Sequence, residues 1–519
     1  MAADIGSAPP WYPFLASAYL VVALAAANGG ELVGPGDLLW PILISLLLAT
    51  TAWFLNGLVT KEPGKRALLT LAAVLVFGAS GRAIVVVRSW PPVAELATDI
   101  VALTLIVILL VAFTDLVRRS SHSFLPTLRY LNLVAAMLLL WSSGQFIWNN
   151  TTARDALPMS SLPQAHAEAG HPPDAKPDFF FVILDKYTGP RSLAANFRLD
   201  DTEFLQFLAH EGFFVPRNAR ANYNHTFLAL AAMLNWQYLD TLVTALGRDN
   251  QSWRAAYPVI EDNRVSRALK QEGYRFVFFP SAFPMTKRNR FADQQLPEPT
   301  SASREFQSVW LRTTLLRPLL EGLCPLIGCS TGKYVPESAT LMDWKFQRIA
   351  ELAGSREPIF VFAHLTVPHE PYIYDAMCGH RDPYIPERDD GPEASRVVAA
   401  YVDQVKCTNQ RVERLVTDIL HRAHRQTIII LQADHGHGRM GHDQPALKDA
   451  LPWQVAERTD IFAAYYLPDH PAGLLSDSIG PVNAVRAIMR HYYRLPLPPL
   501  PERTFWSSSH HPYAFTRIR

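Results

Sequence analysis

Hydrophobic and polar positions along this 519-residue chain fall into two textures that change near residue 148. Before that point, apolar stretches of about 20 residues recur with few charges, the length needed to cross the hydrocarbon core of a bilayer. Five membrane spans are predicted, over Tyr12–Gly29, Leu38–Val59, Ala67–Val87, Glu95–Leu116 and Tyr130–Trp148. No basic stretch precedes the first and four apolar segments follow it, which argues against a cleaved signal peptide. Residues 149–177 are polar and rich in Pro and Ala and read as a linker. From Asp178 onward, short apolar runs alternate with amphipathic stretches. The runs at 179–184 (FFFVIL), 275–279, 359–363, 427–431 and 461–467 read as buried strands, and 203–211, 265–272, 342–353, 397–421 and 482–493 as helices. That alternation predicts an α/β domain around a largely parallel central sheet. The chain thus divides into a five-helix transmembrane bundle (1–148), a linker (149–177) and an exterior domain (178–519).

Charge orients this plan. Lys61, Lys65 and Arg66 lie between spans two and three, and Arg118, Arg119 and Arg129 between spans four and five. The first-to-second connection carries Glu31 and Asp37 and no base. Basic loops stay cytoplasmic, so the N-terminus is expected inside and everything after the fifth span outside. A net charge of +1 gives no electrostatic case for a nucleic-acid partner. Cys324, Cys329, Cys378 and Cys407 all fall in the exterior part, where an even count predicts disulfides. Three connectivities are open; Cys324–Cys329 with Cys378–Cys407 is the expected one. The absence of a C-x-x-C spacing argues against a cysteine metal site.

Candidate chemistry gathers just after the strands. Asp185 and Lys186 follow FFFVIL, and Asp434, His435, Gly436 and His437 follow TIIILQA. The run IFVFA ends in His364, within HLTVPHEP, and His369 comes five residues later. These oxygen and imidazole donors suit Zn²⁺ or Mn²⁺. An Asp after a strand is by itself an ordinary helix cap and a D-H-G an ordinary turn; three strand ends carrying such residues together read as a site. The segment ANYNHTFLALAAMLN (221–235) places Thr226 where an amphipathic helix along Phe227, Leu230, Met233 and Leu234 is expected to begin. Two readings stand there: an N-cap, or a hydroxyl nucleophile at a helix N-terminus that favours bound anions.

The ordered set FFFVILDKYTG, NYNHTFLALAAMLN, HLTVPHEPY, YVDQVKCTNQRVERLV and ILQADHGHG resembles the sulfatase-like hydrolase/transferase family of the alkaline phosphatase superfamily. Lipoteichoic acid synthases and phosphoethanolamine transferases are related members, which also set five spans before an exterior catalytic domain. The resemblance implies a metal site of Asp185, Thr226, Asp434 and His435 for one or two Zn²⁺ or Mn²⁺ ions, with Thr226 also the nucleophile. It implies catalytic contacts from His364 and His369, and substrate contacts from Asn222, Asn224, His437 and His442. Two departures narrow it. Phosphoethanolamine transferases of this type have Glu where Asp185 stands. The C/S-x-P-x-R signature of formylglycine sulfatases is replaced by Thr226-Phe227-Leu228-Ala229-Leu230. The implied activity is transfer of a phospho-substituent from a membrane lipid donor, through Thr226, to an envelope glycan or lipid, outside a bacterial inner membrane. The alternatives are a phosphodiesterase or sulfatase-like hydrolase using water, and a non-catalytic membrane protein of envelope assembly. Retention of Asp185, Thr226, Asp434 and His435 argues against the last.

Overall fold

The computed structural model describes residues 9–28, 35–88, 98–122, 124–155, 176–297, 300–316, 338–385, 394–440 and 443–519. Two compact units emerge: Met1–Arg154 with Thr300–Tyr334, and Asp155–Pro299 with Val335–Arg519.

The first unit contains helices α1 (Tyr12–Ala27), α2 (Leu39–Val59), α3 (Pro63–Arg88), α4 (Thr98–Arg119) and α5 (Leu125–Asp155). Among the described residues, Gly36–Val59, Pro63–Gly81 and Leu128–Asn149 are long and apolar enough to cross a membrane. That is three segments where five spans were expected; α1, of 16 residues, is shorter. Helix α5 runs into the expected linker, and residues 156–175 lie outside the described residues. The helix Thr300–Thr313 also belongs to this unit: Phe306 and Trp310 are buried in one cluster with Val21, Leu24 and Phe146. Gly81 permits that contact, since a Cβ there would lie 2.1 Å from the Arg312 carbonyl oxygen.

The second unit is built on a seven-stranded sheet. Its strands are β1 (Asp178–Leu184), β2 (Phe213–Phe214), β3 (Arg275–Phe279), β4 (Gln294–Gln295), β5 (Ile359–Leu365), β8 (Thr427–Gln432) and β9 (Ala463–Tyr466); β6 (Tyr372–Tyr374) and β7 (His380–Ile385) form a separate hairpin. The order is β2-β9-β8-β1-β5-β3-β4, with β8, β1, β5, β3 and β4 parallel. The run at 461–467 forms a shorter strand, β9, that pairs antiparallel with β8. Continuous apolar sequence in β1 follows from burial on both faces: every residue of it is fully enclosed. On one face the rings of Phe276 and Phe360 stack at 4.9 Å, and Phe181 meets Phe362 edge-on at 5.8 Å.

Cys378 and Cys407 form a disulfide that ties the β6–β7 turn to the helix Ala394–Arg422. The expected Cys324–Cys329 pair lies outside the described residues. Three residues before Cys407, the Gln404 amide accepts from the Ile373 N–H at 2.6 Å and donates to the His369 carbonyl at 2.7 Å. The cross-link thus braces the segment that carries His369. It closes a sequence separation of 29 residues, and loop entropy puts its contribution at about 3 to 4 kcal/mol. Cys378→Ser with Cys407→Ser is expected to lower the urea midpoint accordingly; a midpoint unchanged and indifferent to reductant would refute this.

Candidate active site

Strand β1 lies between β8 and β5, and register pairs Ile183 with both His364 and Gln432. Residues at the carboxyl ends of these strands therefore meet, as ligand sites do in open parallel sheets. Asp185 follows β1 and Asp434 follows β8, both fully buried. His364 sits inside β5 instead of after it, and its Nε2 is 3.1 Å from Asp185 Oδ2. Its Nδ1 contacts the Thr286 hydroxyl at 2.8 Å and its ring stacks on Phe283. One donor atom each from Asp185, His364 and Asp434 lies within 4.8 Å of the other two.

Two of those carboxylate oxygens, Asp185 Oδ1 and Asp434 Oδ2, are enclosed with no hydrogen-bond donor. Burial pushes the Asp434 carboxyl up to about 7, and the neighbouring Asp185 adds to the shift. Asp185 is raised as well, chiefly by burial. Two adjoining buried acids of this kind are costly unless a cation compensates them. Two carboxylates and an imidazole are the donor set for a divalent cation, so these residues fit one.

Thr226 is the first residue of the helix Thr226–Leu234, and the N-cap position is His225. The threonine is therefore not the cap. Its Oγ1 lies 3.0 Å from His435 Nε2. His435 Nδ1 donates to the Gly436 carbonyl at 3.0 Å, which leaves the lone pair on Nε2. That nitrogen is 2.9 Å from Arg458 Nη2 and 3.3 Å from Asp434 Oδ2. Burial, and after it the Arg458 charge, holds the His435 pKa well below the ordinary imidazole range, so the ring is neutral. The helix itself is enclosed on every side, Leu228, Ala229, Ala231 and Ala232 included, and is not the amphipathic helix expected.

Asp185, Thr226, His364, Asp434 and His435 thus come together. His369 adjoins them: its N–H donates to the Asp185 carbonyl at 3.1 Å, and its ring packs edge-on against Phe283. Its Nδ1 donates to the Glu370 carbonyl at 2.6 Å. The remaining expected contacts are engaged elsewhere. Asn222 donates to the Arg503 carbonyl at 2.8 Å and accepts from the Val482 N–H at 2.9 Å. Asn224 accepts from the Ser507 N–H at 3.0 Å and donates to the Ser507 carbonyl at 2.8 Å. His437 accepts from the Arg439 N–H at 3.1 Å through Nδ1, so its Nε2 donates to the Tyr372 hydroxyl at 3.1 Å. These three fasten the loops that carry Thr226 and His435. His442 lies outside the described residues.

Two features had no clear mark in the sequence. Lys186 and Glu370 form a buried ion pair at 2.9 Å beside the acids, and the Lys186 N–H donates to Asp434 Oδ1 at 3.2 Å. Each sits next to a candidate ligand, and that adjacency was the available signal. Arg458, at the end of the helix Pro452–Thr459, is buried and donates to the carbonyls of Asn224 (2.9 Å), Gly436 (3.2 Å) and His437 (3.0 Å). It locks the two loops together with its guanidinium at the Thr226–His435 contact.

The sequence over residues 177–472, more than half the chain, matches the Sulfatase family, and the chain belongs to it. It is a hydrolase or transferase of the sulfatase and alkaline phosphatase superfamily. No curated protein sequence matches it significantly. Among solved structures it is similar to the C-terminal periplasmic domain of EcEptC from Escherichia coli, with 14% identity over 68% of this chain and 94% of that one and a TM-score of 0.43. The soluble domain of lipooligosaccharide phosphoethanolamine transferase A from Neisseria meningitidis matches with 11% identity, 64% and 96% coverage and a TM-score of 0.38. Phosphonate monoester hydrolase of Agrobacterium radiobacter gives 15% identity, 64% and 80% coverage and 0.41.

Proposed function

We propose that the protein is a membrane-integral phospho-group transferase with Thr226 as nucleophile. It takes a phospho-substituent from a lipid donor and passes it to an envelope glycan or lipid, on the extracytoplasmic side of a bacterial inner membrane crossed five times. The observation that carries this reading is the Thr226 hydroxyl. It is free of any capping duty and stands 3.0 Å from a neutral imidazole nitrogen, beside two buried acids with undonated oxygens.

Asp185, His364, Asp434 and His435 would hold one or two Zn²⁺ or Mn²⁺ ions with Thr226. When bound, the metal lowers the hydroxyl pKa and offsets charge on the phosphoryl oxygens. The chain's own groups do the rest. Thr226 Oγ1 forms the bond to phosphorus as the donor's alkoxide leaves, and the acceptor hydroxyl later displaces the threonine. The positive end of the helix that begins at Thr226 favours an anionic group beside the threonine. Arg458 adds a fixed positive charge there, and the His369 imidazole, carried next to Asp185, is assigned the proton exchange with the leaving or entering oxygen.

Peptide mass spectrometry on protein purified from its membrane, incubated with metal and with phosphatidylethanolamine or phosphatidylglycerol, tests the assignment. A phospho-adduct on Thr226 is expected, and its mass names the transferred group. An unmodified Thr226 with metal bound and substrate consumed would point to direct hydrolysis. Arg458→Gln is expected to lower kcat about 10²- to 10³-fold, the usual cost of one preorganised charge donor, with bound metal retained. A wild-type kcat would remove Arg458 from the reacting centre.

A further inference from the structure

The first unit contains an apolar cavity of about 240 Å³ between α1, α2, α3 and the helix Thr300–Thr313. It exists because the residues facing it are small: Ala49, Ala52, Ala73 and Gly78 stand where larger side chains would fill the space. Three of its four polar side chains are satisfied within their own helices, Ser45 being the fourth, and the remaining ten lining residues are Leu, Ala, Val, Phe, Gly and Trp. Ser17, Thr51 and Thr313 donate their hydroxyls to carbonyls of their own helices, at Phe14 (2.9 Å), Leu47 (2.9 Å) and Trp310 (2.7 Å). A water molecule needs two or more polar partners to stay in such a space, whereas a cavity of about 150 Å³ with apolar walls already accepts a benzene ring. The occupant is therefore hydrocarbon. Leu55, at the rim, is 59% exposed, and Leu43, Leu47 and Phe54 of the same helix are exposed as well. In a bilayer, hydrocarbon arriving at that rim is an acyl chain.

We infer that this cavity binds one acyl chain of a membrane phospholipid, with Trp310 and Thr313 forming part of its wall. The inference rests on the membrane setting proposed above and not on the phospho-chemistry. The two can fail separately, because the adduct on Thr226 is read independently of lipid occupancy.

The test uses the full chain in detergent with phosphatidylglycerol carrying a diazirine in one acyl chain. Photolabel is expected to concentrate on peptides containing residues 45–55 and 310–313. In Ala49→Phe with Ala52→Phe, labelling of those peptides should fall about tenfold, the equivalent of about two methylenes excluded from the pocket. Should that variant fail to fold, competition on the wild type decides. Excess palmitate should clear label from the Trp310 peptide and leave label on the exposed Leu39, Trp40 and Leu43. Label spread evenly along the exposed face of α2, absent from Trp310 and insensitive to palmitate, would overturn the assignment.

Discussion

Thr226→Ala is expected to abolish turnover and leave the protein folded. The change removes the hydroxyl and one methyl group, and the capping position belongs to His225, whose ring Nε2 donates to the Ser507 carbonyl at 3.0 Å. Alanine is also the best helix former, so the change in stability should stay within about 1 kcal/mol. Loss of a covalent nucleophile costs about 10⁴-fold or more in kcat, because the remaining groups supply only binding and electrostatic stabilisation. Thr226→Ser keeps the hydroxyl and drops the methyl, so it should retain measurable turnover and still form the adduct. Steady-state rates with melting curves on both variants check this. Wild-type turnover by Thr226→Ala would end the nucleophile assignment.

The second large effect concerns Asp434→Asn, which is expected to lose bound metal and yet stabilise the metal-free protein at neutral pH. The Asp434 carboxyl is raised from its ordinary value to about 7, first by burial and then by the charge of Asp185. An acid whose folded pKa is raised favours the fold in its neutral form. Its contribution is complete below about pH 4, the unfolded value, and is lost as pH climbs through the folded value near 7. For a fully enclosed group a shift of that size amounts to about 4 kcal/mol at most. Metal-free wild type should therefore melt progressively lower from pH 4 to 7, and Asp434→Asn should flatten that slope. Added Zn²⁺ should raise the wild-type midpoint by mass action and leave the variant unmoved. Unchanged metal content in the variant, or a flat wild-type profile, would sink the reading.

Residues whose setting is local were legible from sequence. The runs FFFVIL and TIIIL read as doubly buried strands, which they are, and the acids that follow them come together at the sheet's carboxyl edge. Tertiary placement was harder to see. His364 follows an apolar run and so reads as lying past a strand end, yet β5 continues through it to Leu365 and the ligand cluster draws on a residue inside the strand. The helix after Thr226 reads as amphipathic because such a stripe can be traced through any apolar helix; only the burial of Leu228 and Ala232 shows that it has no solvent face. Asn222 and Asn224 have the chemistry of substrate ligands, but pairing with residues 482, 503 and 507 consumes their amides. Arg458 lies 24 positions after Asp434, at the end of a short polar helix that resembles a surface one. Its role depends on three carbonyls from two other loops, which no local pattern encodes.

The helix Thr300–Thr313 has the same character, with a consequence for biogenesis. SASREFQSVWLRT carries no membrane-length apolar run, yet it completes the core around Val21, Leu24 and Phe146. The chain must therefore be synthesised through β1 to β4 before that bundle can close, and in the interval only lipid or an insertion partner can cover its unfinished face. A secreted fragment beginning at Asp178 would carry Phe306 and Trp310 without the surface that buries them. Excising the 300–334 excursion should make that fragment more soluble than leaving it in place.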